Sequence, residues 1–295
     1  MDGPDFICVG MQKAGTAWLF DQLKLHTDFW APLIKGTYYL HHAVTKQSEA
    51  RDLLRIMDHP DRLGKRVADL RPVEVHDHAF LQLLDSYVGK ARNFQHYAAL
   101  FRFGGARISG DITPGYSDLD EETIAQIAAH FPGVRVVLLI RDPIERVWSQ
   151  ISMKHRQGTF KPAILEKDSV LRSFLDSSED IKKFSYPTEI VKRWQRAAPN
   201  IRLRHFFFDD IATDPGGARR QIISFLGGDP DKPSGDISPG LNRKSRYRKL
   251  EMTDRVRGVI VDHFADELRA CSAMFGQHAE TWKSRYLVGQ GAMSA

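Results

Sequence analysis

Cysteine is nearly missing from this chain: Cys8 and Cys271 are the only two in 295 residues. Two cysteines build no disulfide framework, and no four-ligand zinc spacing is present. Cys8 falls in an apolar run and reads as a buried, inert thiol. Long hydrophobic stretches are missing too. No run reaches membrane-spanning length, and the N-terminus lacks a basic segment followed by a long apolar one. For a complete chain these absences favour a cytoplasmic location with no membrane span. There is no internal repeat, low-complexity tract or nucleic-acid-binding motif, so nucleic acid is not an expected partner. The basic excess, a formal +5 with a pI near 9.1, is mostly dispersed and suits anionic ligands generally.

What is present is a regular alternation of strands and helices. "FICVGM" is an apolar, β-rich run ending at a Gly turn, and "TAWLFDQLKLH" follows with helical periodicity. "VRVVLLI", Val134 to Ile140, is a nearly continuous apolar strand. It leads into "RDPIERVWSQISMKH", where Asp142 caps, Pro143 takes the first helical position and Glu145 completes a capping-box pattern. "ARISGDITPGYSDL" supplies a short strand and a turn before a helix from Glu121 to His130. "IRLRHFFFDD" is another strand, followed by a helix around Arg219 to Leu226. Further helical stretches run over Ser48 to Met57, Asp77 to Val88 and Glu189 to Ala197, and from Met252 onward. The pattern predicts an α/β fold with a central parallel sheet flanked by helices, read as a single domain over residues 1–295. "VHDH", Val75 to His78, is a helix cap and surface rather than a metal site, and no metal is expected.

The first strand–turn–helix unit carries an anomaly. Gly10 and Gly15 have the spacing of a G-x-x-x-x-G-K-[ST] phosphate loop, but Thr16 stands where the lysine belongs and Ala17 where the Mg²⁺-binding hydroxyl belongs. The lysine, Lys13, sits inside the turn. A loop leaving a parallel strand and opening a helix aims backbone N–H groups and the positive end of the helix dipole at one spot. Two readings follow: a phosphate site without a Walker-type metal, or a tight βα turn with Lys13 solvated.

The second unit shifts the balance toward the phosphate site. "QKAGTAWL" resembles the 5′-phosphosulfate loop of the sulfotransferases that use 3′-phosphoadenosine 5′-phosphosulfate (PAPS). "LLIRDPIERVWSQ" resembles their 3′-phosphate motif: a strand, then Arg-Asp-Pro, then a Ser eight residues after the Arg. "FWAPLIKGTYYL" and "GDITPGYSDL" are similar, in order, to two further segments of the carbohydrate and bacterial branch. The resemblance implies a P-loop-like sulfotransferase fold. It also implies transfer of a sulfuryl group from PAPS to a hydroxyl or amine of a carbohydrate or small metabolite, with PAP as product. Lys13, Ala14, Gly15, Thr16, Ala17 and Trp18 would cradle the 5′-phosphosulfate, with Lys13 neutralising charge on the bridging oxygen. Arg141 and Ser149 would hold the 3′-phosphate. The basic stretch "RKSRYRK" would contribute Arg243, Lys244, Ser245 and Arg246; its plain alternative is a solvated surface.

The expected base is the gap. In this branch the second segment has a Glu after its Lys; here Lys35 is kept and Gly36 follows. Glycine transfers no proton. His41, His42 or Asp111 could substitute, the acceptor could need little help, or the chain could bind PAPS without efficient transfer. The plain reading of Asp111 is a turn-capping carboxylate, and that of His41 and His42 surface histidines. A P-loop kinase or hydrolase is the remaining rival, opposed by Thr16 and Ala17. Trp30, Tyr38 and Tyr39 stack on an acceptor or belong to the core, and the stretch from Lys154 to Phe184 shows no readable chemistry.

Overall fold

The computed structural model describes residues 3–41, 47–57, 74–232, 238 and 250–288. Five strands, β1 (Phe6–Gly10), β2 (Phe29–Trp30), β3 (Ile108–Ile112), β4 (Arg135–Ile140) and β5 (Arg202–Phe207), form one sheet in the order β2-β3-β1-β4-β5. Every pairing is parallel. Strand β1 is buried along its whole length and β4 from Val136 onward, as continuous apolar runs covered on both faces require. Helices such as Glu121–His130, Pro143–Arg156, Pro187–Ala197 and Asp254–Phe275 supply the cover, and the core is continuous through them.

The α/β class and the main strands agree with the sequence reading. The differences are local. Asp111, weighed above as a turn-capping carboxylate, lies within β3. The two-residue β2 carries no periodicity and forms because Phe29 and Trp30 pair with Ile108 and Ser109. The helix after β5 starts at once, at Phe208, and a second runs Pro215–Leu226. Within the Lys154 to Phe184 stretch, a helix at Asp168–Ser177 buries Leu171 and Leu175 and packs on the Asp254–Phe275 helix.

The direction of the connections reverses at the centre of the sheet. From β1 the connections run toward β3 and β2, and from β4 they run to β5 on the other side. In an open parallel sheet the ligand crevice lies beyond the carboxyl ends of strands at such a switch point. Here that is where residues 10–15 leave β1 and residues 141–143 leave β4.

Candidate active site

The loop after β1 is bent around left-handed backbone. Lys13 has φ 72° and Gly15 has φ 102°, and Gly15 is the N-cap of the helix Thr16–Leu23. An L-residue in that region costs about 1–2 kcal/mol, so Lys13 is held there by its surroundings. Gly15 is also required sterically: a Cβ on it would lie 3.2 Å from the Phe208 ring and from Ile211 Cδ1. With glycine at the cap, no side chain caps the helix, and its first turn has no acidic residue. No carboxylate therefore neutralises the helix dipole at this end, the arrangement found where helix N-termini receive anions.

Arg141 closes the crevice from the β4 side. Its Nη1 donates to the Lys13 carbonyl at 3.1 Å, its Nη2 lies 3.5 Å from Glu145, and its guanidinium stacks 4.5 Å above the Phe208 ring. The helix beyond it starts as its sequence dictates: Asp142 accepts hydrogen bonds from the N–H groups of Ile144 and Glu145, and Pro143 follows the cap. Glu145 turns to Arg141. Ser149, four residues further, shares its helical face and is half-buried.

Lys35 reaches the same loop, donating from Nζ to Thr16 Oγ1 at 3.0 Å. Its neighbour Gly36 has φ 77°, and a Cβ there would meet the Tyr38 ring at 3.2 Å and the Ile112 carbonyl at 3.4 Å. The segment then folds over the end of β3 through Asp111. That carboxylate is 1% exposed. Oδ1 accepts from the Thr37 N–H (3.3 Å) and Thr113 hydroxyl (2.7 Å). Oδ2 accepts from the hydroxyls of Thr37 (2.6 Å), Tyr116 (2.9 Å) and Tyr97 (3.2 Å). Both phenols are pushed well above their ordinary pKa by burial and then by this carboxylate, so they remain donors. Five donors saturate the oxygens. The geometry favours the structural reading of Asp111 over its reading as a base.

His41 is placed differently. It is half-buried, stacks on Tyr38 at 5.7 Å, and its Nε2 lies 3.2 Å from the Gly115 carbonyl. A carbonyl only accepts, so Nε2 carries the hydrogen and Nδ1 keeps its lone pair in the neutral ring. Burial lowers the His41 pKa, against the Gly115 hydrogen bond and Asp118, which raise it. Trp30 and Tyr39, each 1% exposed, belong to the core and are not acceptor platforms. His42 and the basic residues Arg243, Lys244, Ser245 and Arg246 lie outside the described residues. The residues on either side of that basic stretch are tied to both site helices. Gln22 donates to the Ser238 carbonyl at 3.2 Å, and Trp148 Nε1 to the Leu250 carbonyl at 3.1 Å.

Residues 4–231 match the family model described as "Sulfotransferase family". The chain belongs to the sulfotransferase family. No curated protein matches it in sequence. Among solved structures it is similar to a sulfotransferase from Alicyclobacillus acidocaldarius, at 18% identity and TM-score 0.63, over 96% of this chain and 100% of that one. Sulfotransferase STF9 from Mycobacterium avium matches at 15% identity and TM-score 0.45, over 95% of this chain and 77% of that one. At such identities the first likeness shows a shared fold.

Two sets of residues around this candidate site escape sequence reasoning. Thr37, Tyr97 and Tyr116 converge on Asp111 from three separate segments, and only Tyr116, in the quoted "GDITPGY", lies near it in sequence. Tyr286, whose hydroxyl donates to Asp142 at 2.9 Å, is 144 residues away and carries no local signal. Among the described residues no group of three or more His, Cys, Asp or Glu side chains is placed to hold a metal, and no helix is long and apolar enough to cross a membrane. Cys8 is wholly buried, and burial pushes its thiol up to about 12, in keeping with an inert thiol.

Proposed function

We propose that this sulfotransferase moves a sulfuryl group from PAPS to a hydroxyl or amine of a carbohydrate or small metabolite. One observation carries the reading: the Lys13 loop and Arg141 are hydrogen-bonded to each other across the switch point, with Lys35 joined to the first helical turn. Two placed cations, Arg141 and Lys35, and a helix N-terminus without a side-chain cap, at the loop that carries Lys13, suit a ligand with phosphate at both ends of a nucleoside. Bound PAPS supplies the activated sulfate. The acceptor oxygen or nitrogen forms the new bond to sulfur while the bond from sulfur to the bridging oxygen breaks, and PAP leaves with the electron pair.

The chain's own residues divide this work. Lys13 and the helix N-terminus stabilise charge developing on the bridging oxygen, and Lys35 adds to the field at the same place. Arg141 and Ser149 hold the 3′-phosphate. Asp111 orders the Lys35–His41 segment. His41 takes the acceptor's proton at Nδ1, filling the role that Gly36 cannot.

Titration calorimetry tests the donor: PAP binds without Mg²⁺ and ATP binds far more weakly. Transfer from PAPS to a panel of hydroxyl and amine acceptors tests the chemistry. A second reading, PAPS binding with little transfer, is favoured by Gly36, whose left-handed backbone is built for a residue without a carboxylate. PAP binding with no turnover on any acceptor, and no hydrolysis of PAPS, would support it.

A further inference from the structure

The C-terminal segment docks on the rim that carries the proposed 3′-phosphate site. His278 Nε2 donates to Asp210 at 2.7 Å and Trp282 Nε1 to Asp209 at 3.1 Å, both just past β5. The helix Gln277–Lys283 then gives way to a π-type turn, Ser284–Val288, a geometry that recurs at functional sites. From that turn Tyr286 bonds to Asp142, and Arg285 Nη1 lies 3.6 Å from the same carboxylate oxygen. Asp142 is the residue next to Arg141. The family match ends at residue 231, so this segment lies beyond it.

Asp142 is already well supplied. It is 3% exposed and accepts from Ile144, Glu145 and Tyr286. Arg285 adds a long contact to a filled carboxylate, while its own side chain stays 50% exposed and lies beside the Tyr286 ring. This half-exposed guanidinium has five N–H donors, more than its contacts with Asp142 and Tyr286 use. Arg141 and Arg285 share Asp142 and Asp209 as electrostatic neighbours, which places both cations at one rim.

We propose that Arg285 is an additional ligand of the donor's 3′-phosphate, acting from the C-terminal segment on the same rim as Arg141. The assignment rests on the PAPS reading above. A 3′-phosphate is dianionic, and Arg141 has part of its charge spent on Glu145. The second guanidinium completes the neutralisation and makes nucleotide selectivity depend on the docked segment 277–288.

The test is calorimetry of wild type, Arg285→Ala and Arg285→Gln with two probes, PAP and adenosine 5′-monophosphate, which lacks the 3′-phosphate. The Gln variant keeps the first part of the stem and an amide while removing the charge and the guanidinium fork. The expected result is about a tenfold or greater loss of PAP affinity in both variants with adenosine monophosphate affinity unchanged. PAP affinity equal to wild type, or an equal fractional loss for both nucleotides, overturns the role of Arg285 while leaving the PAPS reading intact. Failure of the wild type itself to bind PAP overturns both.

Discussion

Arg141 Nη1 donates to the backbone carbonyl of Lys13 at 3.1 Å, so the guanidinium proposed for the 3′-phosphate also holds the loop proposed for the 5′-phosphosulfate. The two proposed halves of the donor site are therefore one mechanical unit. Lys13→Ala is expected to lower kcat about 10²–10³-fold with a smaller change in PAP affinity, because its ammonium acts on charge that develops during transfer. Arg141→Ala is expected to weaken PAP binding about 10–100-fold and to loosen the loop, lowering Tm as well. Steady-state kinetics with calorimetry separates the two patterns. Two variants indistinguishable from wild type would remove the donor-site assignment.

The backbone at Gly36 yields a stability prediction. Its φ of 77° disfavours any side chain, and the Ile112 carbonyl and Tyr38 ring crowd the Cβ position. Gly36→Ala should lose about 1–2 kcal/mol in urea unfolding. Gly36→Glu should lose at least as much and gain no transfer rate, because the carboxylate enters a strained segment. A Glu variant that is both stable and faster would show that this position remains open to a base.

Asp111 and His41 are separable by what each loses. Asp111→Asn puts an amide among five donors and should cost about 1–3 kcal/mol of stability, seen as a lower Tm. His41→Gln should leave Tm nearly unchanged and lower kcat roughly 10²–10⁴-fold. Burial holds the His41 pKa below the ordinary 6.5, so the wild-type ring stays neutral and basic to lower pH. The acid limb of kcat/KM should fall below that value and vanish in His41→Gln. A limb that survives the substitution would assign the base elsewhere.

Asp142 gives the pH dependence of folding at this rim. Burial raises its pKa from 3.8 to about 6, against the hydrogen bonds from Tyr286 and Ile144 that lower it. Between those two values the folded chain holds a proton that the unfolded chain has released. The stability contributed by this group is therefore fully present below 3.8 and is lost as pH rises toward and through about 6. The Tyr286 hydroxyl, itself raised by burial, supports the ionised carboxylate. Tyr286→Phe should thus cost about 1–2 kcal/mol at about pH 8 and distinctly less at about pH 5. Denaturation at the two pH values reads the difference, and an equal loss at both would mean that the phenol contributes packing alone.

Local pattern accounts for part of this molecule. The apolar runs of β1 and β4, the Asp142–Pro143 helix start, and the Gly10/Gly15 turn are each contained within a dozen residues, so short-range physics dictates them and reading them in order suffices. The family, the α/β class and the candidate donor residues follow from those segments. Which residue stands beside which at the switch point is another matter. The Arg141–Lys13 bond spans 128 positions and the Thr37–Asp111 bond 74; both exist because parallel strands β3, β1 and β4 deliver separate loops to one edge. That placement saturates Asp111 and leaves His41 with its lone pair. It also brings Tyr286 and Arg285 to Asp142, contacts that depend on long-range packing and leave no periodicity in the chain. Gly36 belongs to both accounts. Its identity is plain in the sequence, but only the backbone angle set by its packing shows why a carboxylate does not fit there.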